Sequence, residues 1–130
     1  MAVYSFAAVG IGAALGAWLR WGLGIFLNAT FPTLPMGTLA SNLVGGYLVG
    51  MAVAFFSHHP GLSPDLRLLV ITGFLGGLTT FSTFSAEAVN LMGRAEYAWA
   101  LAHVSAHLVG SLILTLLGML TVNTLLRGAP

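Results

Sequence analysis

The chain has 130 residues, 58% of them hydrophobic and only 5% charged, where a soluble domain carries roughly 25% charged residues. That balance excludes a soluble globular domain and defines an integral membrane protein. A net charge of +1 with no basic run leaves no electrostatic footprint for nucleic acid, and the absence of cysteine excludes disulfides and thiol chemistry.

Charge falls only at Arg20, Asp65, Arg67, Glu87, Arg94, Glu96 and Arg127, so the stretches between these residues are candidate spans. Each span needs about 20 apolar residues to cross the hydrocarbon core. The length allows four, with no room for a soluble domain, so residues 1–130 form a single transmembrane domain. Breakers separate the spans at Asn28 to Pro35, His58 to Pro64 and Met92 to Glu96. The predicted helices cover 4–27, 36–57, 65–91 and 97–126. Short connections make neighbours antiparallel.

The first helix begins apolar at once, without the positive region of a cleavable signal, and reads as a span. Arg20 lies two-thirds along it, in Gly16-Ala-Trp-Leu-Arg20-Trp21. A central arginine costs roughly 2.5 to 3.5 kcal/mol on insertion scales. It is either a snorkelled anchor beside Trp18 and Trp21 or a cation that attracts anions at a vestibule. Asn28-Ala29-Thr30 matches a glycosylation sequon, a pattern too short to carry weight.

The second helix carries Asn42 in Gly37-Thr-Leu-Ala-Ser-Asn42-Leu-Val-Gly45. Its amide supplies two donors without a charge, for an interhelical hydrogen bond or for an anion. Ser63-Pro64-Asp65 then supplies a capping hydroxyl, a proline at the first helical position and an acid in the first turn. The third helix therefore starts near Pro64.

Residues 72–85 contradict themselves: Thr-Gly-Phe-Leu-Gly-Gly-Leu-Thr-Thr-Phe-Ser-Thr-Phe-Ser is apolar enough for a membrane yet spoils a helix. Non-helical backbone at that depth survives only where protein buries it or a polar cavity borders it. A third helix broken mid-membrane is expected, weakened by Gly73, Gly76 and Gly77, with Thr79 and Thr80 re-satisfying freed backbone groups. Freed carbonyls can hold a cation. Phe81 and Phe84 share one face beyond the break, as do Ser82 and Ser85. Aromatic edges are positive, so these rings either pack or stabilise an anion. Glu87, one turn after Thr83, is an intramembrane acid and a functional candidate by default.

On the fourth helix His103, His107 and Ser111 repeat every four residues. Two such histidines can bind a transition metal, but no Glu or Cys is expected to complete a site nearby, and a polar stripe facing other helices is the more economical account. His58-His59 falls in a loop. Small pairs Gly12/Gly16, Gly46/Gly50 and Gly73/Gly77 suit close helix approach, within one chain or between two. Arginines are divided almost evenly between the two sides and lysine is absent. Charge asymmetry normally sets orientation, so dual topology and an antiparallel homodimer stand beside a single orientation fixed by the first helix.

Together the Arg20, Asn42 and residue 73–85 motifs resemble the CrcB/Fluc family of fluoride channels over the whole chain. The resemblance implies passive fluoride efflux from a microbial cytoplasm, through two pores of a dual-topology antiparallel homodimer in the cell membrane. Phe81 and Phe84 correspond to pore phenylalanines, Asn42 to the pore asparagine and Arg20 to the vestibule arginine. Gly76 and Thr79 fall where backbone carbonyls bind a structural sodium ion. Ser82, Thr83, Glu87 and Ser111 fall along the polar pathway. His103 and His107 stand where neutral residues such as asparagine are expected. A histidine facing the pore and protonating near its reference pKa of about 6.5 would alter flux. Flux profiles from about pH 5.5 to 8, compared with His103→Asn/His107→Asn, test this, and identical profiles count against it.

Two other classes fit a small four-helix membrane protein. A small multidrug-type exporter needs an acidic site in the first helix, where this chain has Arg20. An assembly subunit of a larger complex needs no pore chemistry and tolerates loss of the break.

Overall fold

The computed structural model describes residues 2–127. Four spans cover Ala2–Thr30, Met36–His58, Pro64–Gly93 and Tyr97–Arg127, and the predicted helix ends fall within three residues of the observed span ends. Outward faces are apolar: Phe6, Trp21 and Phe26 are all largely exposed. The interior buries small and polar groups, including Thr38, Ser41, His103 and His107. Apolar side chains such as Leu78 and Leu91 are buried beside them, so the bundle is apolar outside and mixed inside, as expected where lipid solvates apolar surface and the bundle must satisfy its own polar groups.

The first helix packs on the first half of the third, the second on the fourth, and the fourth also meets the second half of the third. Glycine makes these approaches possible. A Cβ on Gly12 or Gly16 would overlap backbone of residues 69–78, and one on Gly77 would lie 2.5 Å from the Ala13 carbonyl oxygen. Gly46 and Gly50 face Ser111 and Thr115, while Gly118 meets Tyr47 from the other side. The paired small residues therefore serve packing within the chain.

Capping follows the sequence at one helix and surprises at another. Pro64 is the first helical residue of the third span, and the Ser63 hydroxyl accepts from the Asp65 N–H at 3.1 Å. The second helix has no local cap; Asn28 Oδ1, from the preceding turn, accepts from the N–H groups of Gly37 and Thr38 at 2.8 and 3.3 Å. Asn28 thus satisfies donors that a helix start leaves orphaned.

The third span is interrupted, but not where its glycines are. Leu68–Leu75 is π-helical, Gly76–Leu78 continues as a helix, and the chain becomes extended at Thr79 and Thr80 before Phe81–Gly93 resumes. Gly73 and Gly77 stay helical because their job is proximity to the first helix. A spacing of four residues is close to one turn in either helix type, which keeps both on that face.

The last turn holds a non-glycine residue in the left-handed region: Ala95, φ 58°. Glu96 N–H donates to Leu91 C=O and Ala95 N–H to Met92 C=O, the pattern that normally places glycine at this position. Ala95→Gly is expected to raise stability by about 1 kcal/mol, since a Cβ in this conformation costs roughly 1–2 kcal/mol and glycine's greater unfolded entropy offsets part of the gain. Thermal unfolding in detergent checks it; a lower midpoint contradicts it.

Candidate functional site

An extended residue turns its own N–H and C=O toward the same edge, as in a strand. Thr80, at φ −148° and ψ 124°, does so, and the Asn42 side chain occupies that edge. Asn42 Oδ1 accepts from Thr80 N–H at 2.7 Å, and its Nδ2 donates to Thr80 C=O at 3.0 Å. Nδ2 also lies 2.9 Å from His107 Nδ1. Both amide hydrogens are engaged. The Thr80 hydroxyl in turn accepts from Thr83 N–H at 3.1 Å and caps the helix that begins at Phe81.

The diverted Thr80 N–H is the one that a continuous helix would aim at the Gly76 carbonyl. Gly77's carbonyl meets a substitute: Arg20 Nε donates to it at 3.0 Å. The half-buried Arg20 is thus tied to the break rather than swinging free at an interface. Together with Thr38, Thr80 and Thr83 it lines a cavity of about 330 Å³.

A larger cavity of about 610 Å³ lies on the other side of Thr80, which borders both. Asn42, Phe81, Phe84, His107 and Ser111 converge on it, as do Gly76 and Thr79. The Phe81 and Phe84 rings meet edge to face, with centroids 5.6 Å apart and planes at 62°. Phe84 continues onto His107 and His103, at 4.7 and 5.3 Å. Phe81 is 79% exposed, so one chain supplies only one side of the surroundings of this ring.

Glu87 is reached from two helices. Thr38 Oγ1 donates to its Oε2 at 2.7 Å, while His103 Nε2 stands 3.5 Å from Oε1. The ligating atoms of Glu87, His103 and His107 lie within 4.8 Å of one another. This corrects the expectation that no Glu stands near the histidines: the third helix supplies Glu87 from a distant part of the sequence. Buried atoms without a hydrogen-bond partner include Glu87 Oε1, His103 Nε2 and His107 Nε2. In a native interior such atoms are few, and a gathering of them marks a place where something else is accommodated.

The candidate residues do not share one cavity. Asn42, Phe81, Phe84 and Ser111 border the larger, Arg20 and Thr83 the smaller. Exposed Ser82 lines neither, its hydroxyl only approaching that of Thr80 at 3.4 Å. Sequence gives no sign of Thr38, which orients Glu87, and assigns Thr80 only the mending of backbone. The signal for Thr80 was a hydroxyl three residues before Thr83 at the point where the apolar run ends.

Asn42→Asp tests the amide's part in the break. A carboxylate accepts from Thr80 N–H but cannot donate to Thr80 C=O, and leaving that partner unmatched costs about 1–3 kcal/mol. A lower unfolding temperature in detergent is the expected result; an unchanged one shows that the clasp adds nothing to stability.

A four-span bundle that gathers polar groups inside and presents apolar ones outward belongs to the integral membrane proteins. Within that class, the chain belongs to the family described as CrcB-like protein, Camphor Resistance (CrcB), whose profile matches residues 7–119. It is 59% identical over 125 residues to a protein of Nitrosospira multiformis named fluoride-specific ion channel FluC, covering 96% of this chain and 98% of that one. Proteins of the same name from Cupriavidus pinatubonensis and Ralstonia pickettii are 61% and 63% identical, covering 96% and 95% of this chain and 99% and 98% of theirs.

Proposed function

We infer that this chain is a fluoride-specific ion channel that lets fluoride leave the cytoplasm passively, and that it catalyses no reaction. The observation that carries this is the near-complete, roughly 60% identity to relatives bearing that name. Small, strongly hydrated fluoride must exchange lost water for other donors. A series of weak neutral sites allows passage, whereas a strongly charged site would trap the ion. The rings of Phe81 and Phe84 and the hydroxyls of Ser82, Thr83 and Ser111 form that series, with Asn42 holding the break beside it, Arg20 at a vestibule and Glu87 on the path. A drug exporter is disfavoured because the first span offers Arg20, bonded to Gly77, and no acid.

The conducting unit is an antiparallel homodimer of dual topology in the cell membrane, with the third helix broken at membrane depth. What supports the dimer is the exposure of Phe81, a ring assigned to the path, together with that of Gly76, which borders the same cavity. A structural sodium ion fits the backbone oxygens of Gly76 and Thr79: the helical donor of the first is diverted to Asn42, and the second belongs to the extended pair. Sodium would supply a fixed positive charge that ties carbonyls together.

Fluoride efflux from liposomes carrying the purified protein, with chloride as control, tests the reading. Rapid loss of fluoride with chloride retained is expected. Equal passage of both ions, or of neither, removes it.

A further inference from the structure

His107 is 4% exposed and its Nε2 has no partner, although the ring is held firmly at its other nitrogen. The state of that ring can be deduced. Backbone roles are fixed: Thr80 N–H must donate and Thr80 C=O must accept. Asn42 answers both, so its Oδ1 faces the N–H and its Nδ2 faces the C=O, and no flipped amide satisfies the pair. The atom 2.9 Å from His107 Nδ1 is therefore an N–H donor. Nδ1 must accept. In a neutral imidazole that leaves the proton on Nε2.

The competing reading is a transition-metal site, since Glu87, His103 and His107 bring ligating atoms within 4.8 Å of one another. A metal on Nε2 needs the lone pair there and the proton on Nδ1, which would set two N–H donors face to face at the Asn42 contact. Relieving that by turning the amide breaks both hydrogen bonds to Thr80. A metal on Nδ1 meets Asn42 directly. The ring is thus prepared as a donor and not as a ligand.

We propose that His107 presents an Nε2–H donor to partly dehydrated fluoride, its tautomer locked by the Thr80–Asn42–His107 chain; this rests on the fluoride-channel reading. Asn42 then acts as a positioning residue for His107 as well as for the break. The Phe84 ring, at 4.7 Å, packs against the imidazole and holds its plane. Ser111 follows His107 by one turn and borders the same cavity, giving the ion a next hydroxyl. Glu87, within 4.8 Å of the histidine nitrogens, repels an anion, and Thr38 engages one of its carboxylate oxygens while His103 stands 3.5 Å from the other, so the ion meets His107 from the side of the larger cavity.

The test is NMR of ring-labelled histidine in lipid nanodiscs holding the intact protein, with efflux from liposomes beside it. In wild type, His107 should show a protonated Nε2 and a bare Nδ1, and fluoride but not chloride should shift the Nε2–H signal. Asn42→Asp should move the proton to Nδ1 and abolish that shift. In liposomes, His107→Gln, which carries an N–H near the ε position, should retain efflux that His107→Met, of similar bulk, loses by about tenfold or more. An Nδ1–H tautomer in wild type, no fluoride-dependent shift, or equal efflux from the Gln and Met variants overturns the assignment. So does zinc chloride binding at Nε2 with block of efflux, because the lone pair is then available. Wild-type liposomes that fail to pass fluoride defeat the channel reading instead, and that result is visible before any variant is made.

Discussion

Phe84→Ile is expected to lower fluoride efflux about tenfold or more, equivalent to roughly 1.4 kcal/mol of barrier, while the protein stays folded. Isoleucine keeps an apolar branch of comparable reach but has no quadrupole, so the positive ring edge that a partly dehydrated anion would meet disappears. The ring is also the hub of the stack: Phe81 lies edge-on to it and both histidines lie against it. Losing an aromatic partner costs about 0.5–1.5 kcal/mol beyond area burial, a modest charge on stability. Phe81→Ile separates the two effects, because Phe81 is 79% exposed in the single chain and its replacement disturbs little packing there. Efflux assays paired with unfolding curves decide the matter. Wild-type flux in both variants would refute an electrostatic role for the rings.

Gly50→Ala should have a large effect on folding. The Cβ would overlap the Thr115 carbonyl oxygen and crowd the Met119 nitrogen, so the second and fourth helices must separate. Overpacking typically costs 1–3 kcal/mol, and backbone cannot swing aside as a side chain can, so about 3 kcal/mol or more is expected. Gly118→Ala meets Tyr47 backbone from the opposite helix and should behave alike. Gly10→Ala is the control: nothing lies within 4 Å of the added carbon, and alanine favours a helix by about 0.5–1 kcal/mol. Yield of folded protein and unfolding temperature should fall for Gly50 and Gly118 and hold or rise for Gly10. A uniform response would show that packing is looser than these contacts imply.

Spans were legible because lipid imposes a length and forbids stray charge, and Ser63-Pro64 marked a start because its chemistry is local. Tertiary arrangements were not. Nothing around Asn28 announces that it caps a helix beginning eight residues later, and nothing around Glu87 announces Thr38 or His103. The glycines of the third span illustrate the ambiguity in a third way. A missing side chain signals either backbone freedom or close approach, and only the neighbouring helix decides between them. Gly73 and Gly77 proved to be contacts, leaving the interruption to Thr79 and Thr80. At the last turn, Gly93 remained helical and Ala95 took the left-handed position, a choice that local propensity opposes.

The clasp on Thr80 also bears on how the protein is made. Its partner Asn42 lies 38 residues upstream, on another span. A third helix packed without the second would leave the Thr80 N–H and C=O without their partner, and burying an unpaired polar group costs several kcal/mol. Synthesis delivers the second span first, so the amide is already in the membrane when the extended pair arrives. Biogenesis is therefore ordered by chemistry: the interrupted helix can settle only beside a finished neighbour, and chain order supplies that neighbour in time.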